Sequence, residues 1–258
     1  MNRLGSCAVV AAVLVNLAAC GKKGSLLYPD MLVPDSATDV SASQSGAAVK
    51  VQFTLPENDR AGRKLSDLAG VRISRQVLAS QQEQVCRACL SDYHLFRTLY
   101  LDLLPDDSVT HRSGSRVQLV DGEVTAGKRY VYSIVPFTKE GISGPASVPA
   151  TTDVLPAQLP PALLAESFPT EIKLTFFGTP AENGSLIGYN LYRTMSKGQY
   201  ALVPINREVI SATVYPDNRL LRGVRYYYSA RALVKLGSGV VVESLASNEV
   251  EGKLKDDE

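Results

Sequence analysis

The chain has 258 residues, and its 27 basic and 26 acidic side chains leave a formal net charge of +1. This length fits two domains, because single domains centre on roughly 100 to 150 residues. The charge balance argues against nucleic-acid binding, which needs a clustered basic face, and against an acidic disordered chain. The lack of Trp, the excess of Tyr over Phe and the many Val and Thr residues favour strands.

The first 19 residues predict a bacterial export signal. Arg3 gives a positive start, and residues 8–19 read AVVAAVLVNLAA, which is shorter than the roughly 20 apolar residues that a spanning helix needs. The run ends in LAAC at residues 17–20, which resembles the lipobox of bacterial lipoproteins. The resemblance implies cleavage before Cys20 and a lipid on its sulfur, so that the acylated chain is held at the bilayer. A plain secretory signal with an incidental Cys is the alternative.

Residues 20–35 are predicted to form a lipidated, flexible tether. Gly21 stands where the Asp that retains lipoproteins in the inner membrane would stand, so the resemblance implies the outer membrane, facing the periplasm. The following GKKGSLLYPD is similar to the start of short lipoproteins associated with lipopolysaccharide transport. That similarity implies tether contacts with outer-membrane assembly machinery, although a slightly basic leash explains the same residues: Lys22, Lys23, Leu26, Leu27 and Tyr28.

An internal repeat occupies most of the remaining chain. Residues 47–58 and residues 170–183 both alternate apolar and polar side chains with period two, which predicts a strand with one buried face. Each copy continues with a Gly before a strand that reaches an Arg, and later with a Gly before a tyrosine-rich strand. The members of that last pair correspond as Gly127 to Gly223, Tyr130 to Tyr226, Tyr132 to Tyr228 and Ser133 to Ser229.

These motifs, in the same order in both copies, resemble the fibronectin type III family. The resemblance implies an all-β fold with two tandem immunoglobulin-like β-sandwiches after the lipoprotein signal peptide. It also implies that Tyr130 and Tyr226 form tyrosine corners, in which the hydroxyl bonds back to the main chain. Phe53 and Phe176 are expected at the core position where the family usually carries Trp.

The predicted boundaries follow from the repeat. The first domain spans residues 36–153, a proline-rich linker spans residues 154–161, and the second domain spans residues 157–252. The three prolines of the linker resist helix and sheet pairing, so a stiff connector that holds the domains in line is expected. Residues 253–258 are a charged tail that is expected to be solvated.

The first copy carries an insertion with two cysteines. Gly70 and Gly127 are 57 positions apart, and Gly188 and Gly223 are 35 apart, so the first copy has 22 extra residues. Cys86 and Cys89 lie in this excess, and a disulfide between them is expected in an oxidising compartment. A redox pair, and a metal site that adds His94 and His111, are the rival interpretations. Covalent haem is excluded because Leu90, not His, follows the CxxC motif.

No established catalytic motif appears, and we expect no enzyme, cofactor or metal. A triad of Ser91, Asp92 and His94 can be drawn, but its spacing is common by chance. The carboxylate pairs Asp106-Asp107 and Asp256-Asp257 fit polar loops better than acid–base catalysis. The predicted function is a non-catalytic binding or structural module at the cell envelope that presents two sandwiches to a protein or glycan. The alternative is an envelope thiol/disulfide or metal-dependent factor that uses Cys86 and Cys89.

Overall fold

The computed structural model describes residues 28–79, 93–104, 108–181 and 183–256. Within them the chain forms strands and two short 3-10 helices, at Pro29–Met31 and Leu101–Leu103. The described residues contain no helix of the length and apolar character needed to cross a bilayer. The fold is therefore all-β, as the sequence predicts.

Domain 1 is a sandwich of two antiparallel sheets, in the orders β1-β2-β6-β5 and β4-β3-β7-β8. Its strands are β1 (Thr38–Ser45), β2 (Ala48–Thr54), β3 (Leu68–Leu78), β4 (His94–Tyr100), β5 (Thr110–Ser113), β6 (Arg116–Asp121), β7 (Arg129–Thr138) and β8 (Ala150–Asp153).

Domain 2 is a second sandwich, in which the sheet β9-β10-β12 faces the sheet built on β11 and β13. Its last strand is split, because β14 and β15 both pair with β13. The strands are β9 (Ala162–Ser167), β10 (Ile172–Phe177), β11 (Gly184–Thr194), β12 (Val214–Asp217), β13 (Arg225–Leu236), β14 (Val241–Glu243) and β15 (Val250–Lys253).

Each domain has its own core, built from the alternating positions that the sequence marks. Val49, Val51 and Phe53 of β2 are buried in the first core, and Ile172, Leu174 and Phe176 of β10 are buried in the second. The prediction that Phe53 and Phe176 are core residues is confirmed, and Phe176 stacks on Tyr189 with ring centroids 4.6 Å apart.

The two domains share one sheet. Strand β1 of domain 1 pairs in parallel with β14 of domain 2 at Ser45 and Glu243, so that an eight-stranded sheet runs through both sandwiches. The linker is held from both sides, because the side chain of Gln44 bonds both main-chain groups of Leu155 and the carbonyl of Gln158 accepts from Leu245 N. Hydrogen bonds, in addition to the prolines, therefore fix the connector.

At three of the predicted boundaries, the structure shows residues that are packed against a domain. Residues 31–35 are not a free tether, since the carbonyl of Met31 accepts from Ala61 N and Asp35 N donates to the carbonyl of Asn58. Val154 belongs to the first core and not to the linker. The charged tail begins later than residue 253, because Lys253 ends β15, Leu254 is buried, and Lys255 N donates to the carbonyl of Phe168.

Candidate functional site

Most of the predicted site residues lie outside the described residues. These are Cys20, Lys22, Lys23, Leu26, Leu27, Cys86 and Cys89, and also Ser91, Asp92, Asp106, Asp107 and Asp257. Lipidation and the disulfide therefore stay predictions. Tyr28, the last of the tether contacts, is described and exposed.

The two histidines are placed on different sheets. His94 opens β4, opposite Arg75 of β3, and His111 lies in β5, opposite Gln118 of β6. In the part of the chain that the structure describes, no three His, Cys, Asp or Glu side chains form a group that could hold a metal ion. The second carboxylate pair is represented by Asp256, which is exposed near the end of the chain.

Both sandwiches contain the hydrogen bond of a tyrosine corner. The hydroxyl of Tyr130 accepts from Thr125 N at 2.7 Å, and the hydroxyl of Tyr226 accepts from Leu221 N at 2.9 Å. In each case the acceptor lies five residues after the donor, where the chain crosses from one sheet to the other. These tyrosines fix a crossover of the fold.

A buried ionic network accompanies each corner. In domain 1, Asp121 accepts from Arg75 Nη1 at 2.7 Å and from the Tyr132 hydroxyl at 2.8 Å. The Asp121 side chain is fully buried, and Arg75 also lies over the ring of Phe96. Burial, and then the hydrogen bond and the charge of Asp121, raise the pKa of Tyr132, so this tyrosine stays protonated.

Domain 2 repeats the same network. Asp217 accepts from Arg193 Nη1 at 2.8 Å and from the Tyr228 hydroxyl at 3.0 Å. Burial, and then the charge of Asp217, raise the pKa of Tyr228. Because the network occurs in both cores and each charge is paired, it serves the fold, and it does not resemble a poised catalytic group.

The most unusual charged group is Glu243, at the junction of the domains. Its carboxylate accepts from Ser45 Oγ at 2.5 Å, Asn190 Nδ2 at 2.6 Å and the Tyr192 hydroxyl at 2.7 Å. Lys50 Nζ of domain 1 lies 3.3 Å from the same carboxylate. A buried carboxylate thus receives donors from both domains.

The electrostatics of Glu243 depend on that contact. Burial by itself would raise its pKa, but the charge of Lys50 and the hydrogen bonds from Ser45, Asn190 and Tyr192 outweigh burial and lower the pKa to about 2. The carboxylate is therefore ionised at neutral pH. Removing either domain would leave it without part of its compensation.

Main-chain contacts close the junction around Glu243. Gly46 N donates to the carbonyl of Glu243 at 3.0 Å, and Gly46 sits at φ +61 in the turn between β1 and β2. A side chain at this position would also meet the guanidinium of Arg231, which donates to the carbonyl of Ser244 at 2.7 Å. The turn therefore needs a glycine both for its backbone conformation and for the fit of domain 2.

The sequence did not mark the junction residues. Lys50 follows the alternating pattern of β2 as an ordinary polar position, and its partner Glu243 lies 193 positions later. The break of the last strand after Glu243 is a local signal, because Ser244 and Ser247 follow it and their hydroxyls accept from Ala232 N and Ala230 N. That pattern marks an irregular strand, and it does not identify the residues that Glu243 meets.

Comparisons with known proteins find similarity to solved structures but not to a sequence family. No protein-family model matches the chain, and no curated protein matches it. Among solved structures, a crystal structure of the FN1–FN3 domains of chicken CNTN1 is similar, with 13% sequence identity, coverage of 87% of this chain and 69% of that chain, and a TM-score of 0.33. The fold assignment rests on the strand order and the tyrosine corners.

Proposed function

We propose that this chain is a lipid-anchored protein of the cell envelope whose two sandwiches act as one fixed, non-catalytic binding or spacing module. The observation that carries the proposal is the junction. A buried carboxylate, a shared sheet and a linker bonded on both sides make the second domain an extension of the first. A rigid pair of this kind can hold a binding surface at a set place relative to its anchor.

Several features support a role in presentation. In the described residues, the buried carboxylates of Asp121, Asp217 and Glu243 are each paired with a cation, and satisfied buried networks make a core rigid. Large apolar side chains remain exposed on both domains, among them Leu95 and Leu103 in domain 1 and Phe177, Met195 and Leu221 in domain 2. Exposed apolar groups of this kind are candidates for contact with a protein or glycan partner.

The LAAC string and the residues after it support the proposed location of the module. The LAAC string supports acylation of Cys20, and Gly21 supports delivery to the outer membrane with the domains in the periplasm. The resemblance of residues 21–30 to lipopolysaccharide-transport lipoproteins makes outer-membrane assembly machinery the first partner to look for. Nucleic acid is not among the proposed partners.

The anchor is tested by fractionation of cells. A Cys20→Ser variant should move to the soluble fraction or accumulate unprocessed, because the sulfur that receives the lipid is gone. Cys7→Ser is the matched control, since residue 7 lies in the part removed with the signal. Normal membrane fractionation of the Cys20→Ser variant would contradict the anchor.

The fixed module is tested by the tumbling of its domains. Nitrogen-15 relaxation of the full chain in detergent should give one rotational correlation time for strands of both sandwiches. Glu243→Ala should separate the two times, because Lys50 and three hydroxyl or amide donors lose their acceptor. Two separate correlation times in the unsubstituted chain would contradict the proposal.

A further inference from the structure

The end of domain 1 that lies opposite the junction gathers several loops, and we call it the distal end. A surface cavity of about 440 Å³ is lined there by residues of the β2–β3 loop, by Leu101 and Asp102, and by the turn between β5 and β6. The β7–β8 loop joins the same end, because Lys139 N donates to the carbonyl of Asp67. The incoming segment, residues 28–35, also packs here, against Asn58, Arg60 and Ala61.

The corresponding end of domain 2 is covered by domain 1. The two ends can be matched residue by residue, because the bridge between Phe137 and Ser143 corresponds to the pair Leu233 and Glu243. Ile142 then corresponds to Val242. Val242 is 4% exposed in the junction, whereas Ile142 is 49% exposed.

The distal end exposes several large apolar side chains. Leu103 is 81% exposed and Tyr100 is 54% exposed, and Tyr100 packs edge-on against Phe137 with ring centroids 5.6 Å apart. Tyr28 and Leu32 of the incoming segment are exposed as well. Large apolar groups gathered at one end of a soluble domain mark a contact surface.

The charges at the distal end nearly cancel. The exposed basic residues there are Arg60, Arg63, Lys64, Arg112 and Lys139, and the exposed acidic residues are Asp30, Asp35, Glu57, Asp102 and Glu140. Electrostatic attraction to one sign of charge is therefore weak, and the apolar side chains must supply the contact. Tyrosine is suited to such a surface, since it combines an apolar ring with a hydroxyl that stays hydrated.

The number of residues between Cys20 and Tyr28 indicates what faces the distal end. Tyr28 is eight residues after Cys20, and eight extended residues reach at most about 28 Å. A lipid on Cys20 therefore keeps the distal end near the bilayer surface. A short tether raises the effective concentration of the surface to roughly the millimolar range, so that even a weak contact is occupied.

We propose that the distal end of domain 1 rests on the bilayer to which the chain is tethered, with Tyr100, Leu103 and Ile142 in the headgroup region. The inference rests on the proposed acylation of Cys20 and adds an orientation to it. The bilayer then covers the distal end of domain 1, just as domain 1 covers the corresponding end of domain 2. The fixed junction carries this orientation on to domain 2.

The test uses the lipidated full chain in nanodiscs of phosphatidylethanolamine and phosphatidylglycerol that contain a lipid with a gadolinium-chelated headgroup. Amide signals of residues 100–103 and 139–143 should broaden several-fold more than those of β11 and β12. Replacing phosphatidylglycerol with phosphatidylcholine should leave this pattern, because apolar contacts carry the docking. The triple variant Tyr100→Ser, Leu103→Ser, Ile142→Ser should lose the selective broadening.

The matched control replaces three exposed apolar residues of domain 2, as Leu164→Ser, Met195→Ser and Leu221→Ser, and should keep the pattern. Co-elution with nanodiscs but equal broadening of both domains would overturn the docking and leave the anchor standing. Failure to co-elute would overturn the anchor and, with it, the docking. Unchanged thermal unfolding of both triple variants would show that neither result comes from a damaged fold.

Discussion

The same cross-strand position is exposed and neutral in domain 1, and covered and acidic in domain 2. In domain 1, Arg72 Nη1 donates to Ser143 Oγ at 2.9 Å on an exposed face, and its guanidinium covers Phe137. In domain 2, the matching residues are Asn190 and Glu243, and they are covered by the turn of domain 1. A repeated fold has thus placed a carboxylate where a neighbouring domain exists and a hydroxyl where the incoming segment, residues 28–35, packs.

The difference separates what builds the fold from what joins the domains. The Arg–Asp–Tyr network and the tyrosine corner occur twice with nearly the same distances, so they belong to the sandwich. The Glu243 contacts occur once and use residues of both sandwiches. Substitutions in the first group should destabilise either domain, and substitutions in the second should uncouple them.

The largest effect is expected from the repeated aspartates. Asp121→Asn and Asp217→Asn each take the buried counter-charge away from a partly buried guanidinium, Arg75 or Arg193, and losing one partner of a buried pair costs up to about 3–5 kcal/mol. Chemical denaturation followed by circular dichroism should show a similar loss for each variant, in the unfolding of its own domain. If one of the two variants lost less than about 1 kcal/mol of unfolding free energy, the two networks would not be equivalent.

The next effect distinguishes the junction from its exposed counterpart. Glu243→Ala should divide one calorimetric unfolding transition into two, since it removes the acceptor that both domains share. Ser143→Ala, at the matching position of domain 1, should lower stability by no more than about 1 kcal/mol, because its hydrogen bond is exposed. A single transition in both variants would show that Glu243 does not couple the domains.

The coupling should also depend on pH. The pKa of Glu243 is lowered from 4.5 to about 2 by its contacts. Its contribution is therefore fully present above pH 4.5 and is lost as the pH falls toward 2. In the unsubstituted chain, the ratio of the longer to the shorter domain correlation time should rise as the pH falls through this range. Glu243→Gln removes the titrating group, so a rise of the same size in that variant would assign the effect to other carboxylates.

The smallest effect is expected from the cysteine pair. If Cys86 and Cys89 form the predicted disulfide, the intact mass should increase by two hydrogens on reduction. The small loop makes the stabilisation low, so Cys86→Ser with Cys89→Ser should change unfolding little. Stoichiometric zinc in protein purified without chelator, or a pair that cycles at a high reduction potential, would favour the alternative function.

The sequence was sufficient for the sandwiches and insufficient for the junction, and the physical reasons differ. Alternation at Val49, Val51 and Phe53 reports burial locally, and the Tyr130 and Tyr226 strings mark crossovers within five residues. From the sequence, Glu243 is expected to be a solvated charge, because the adjacent residues are apolar or hydroxylic and offer it no counter-charge. Its burial depends on domain packing, which no local pattern records.

The insertion shows the same limit from another side. The glycine spacing predicts 22 extra residues in domain 1 but no secondary structure for them. The described part instead supplies an edge strand, β4, whose Phe96 lies under Arg75 and whose Tyr100 opens onto the distal end. Strand β4 forms because it pairs with β3. The glycine spacing gives the number of additional residues and not their structure.

The central claim is that the two sandwiches form one fixed unit, and residual dipolar couplings test it most directly. Couplings from the strands of both domains, measured on the full chain at neutral pH, should fit a single alignment tensor with the domains related as β1 and β14 relate them. Two tensors of different magnitude would mean that the domains move independently, and would contradict the account.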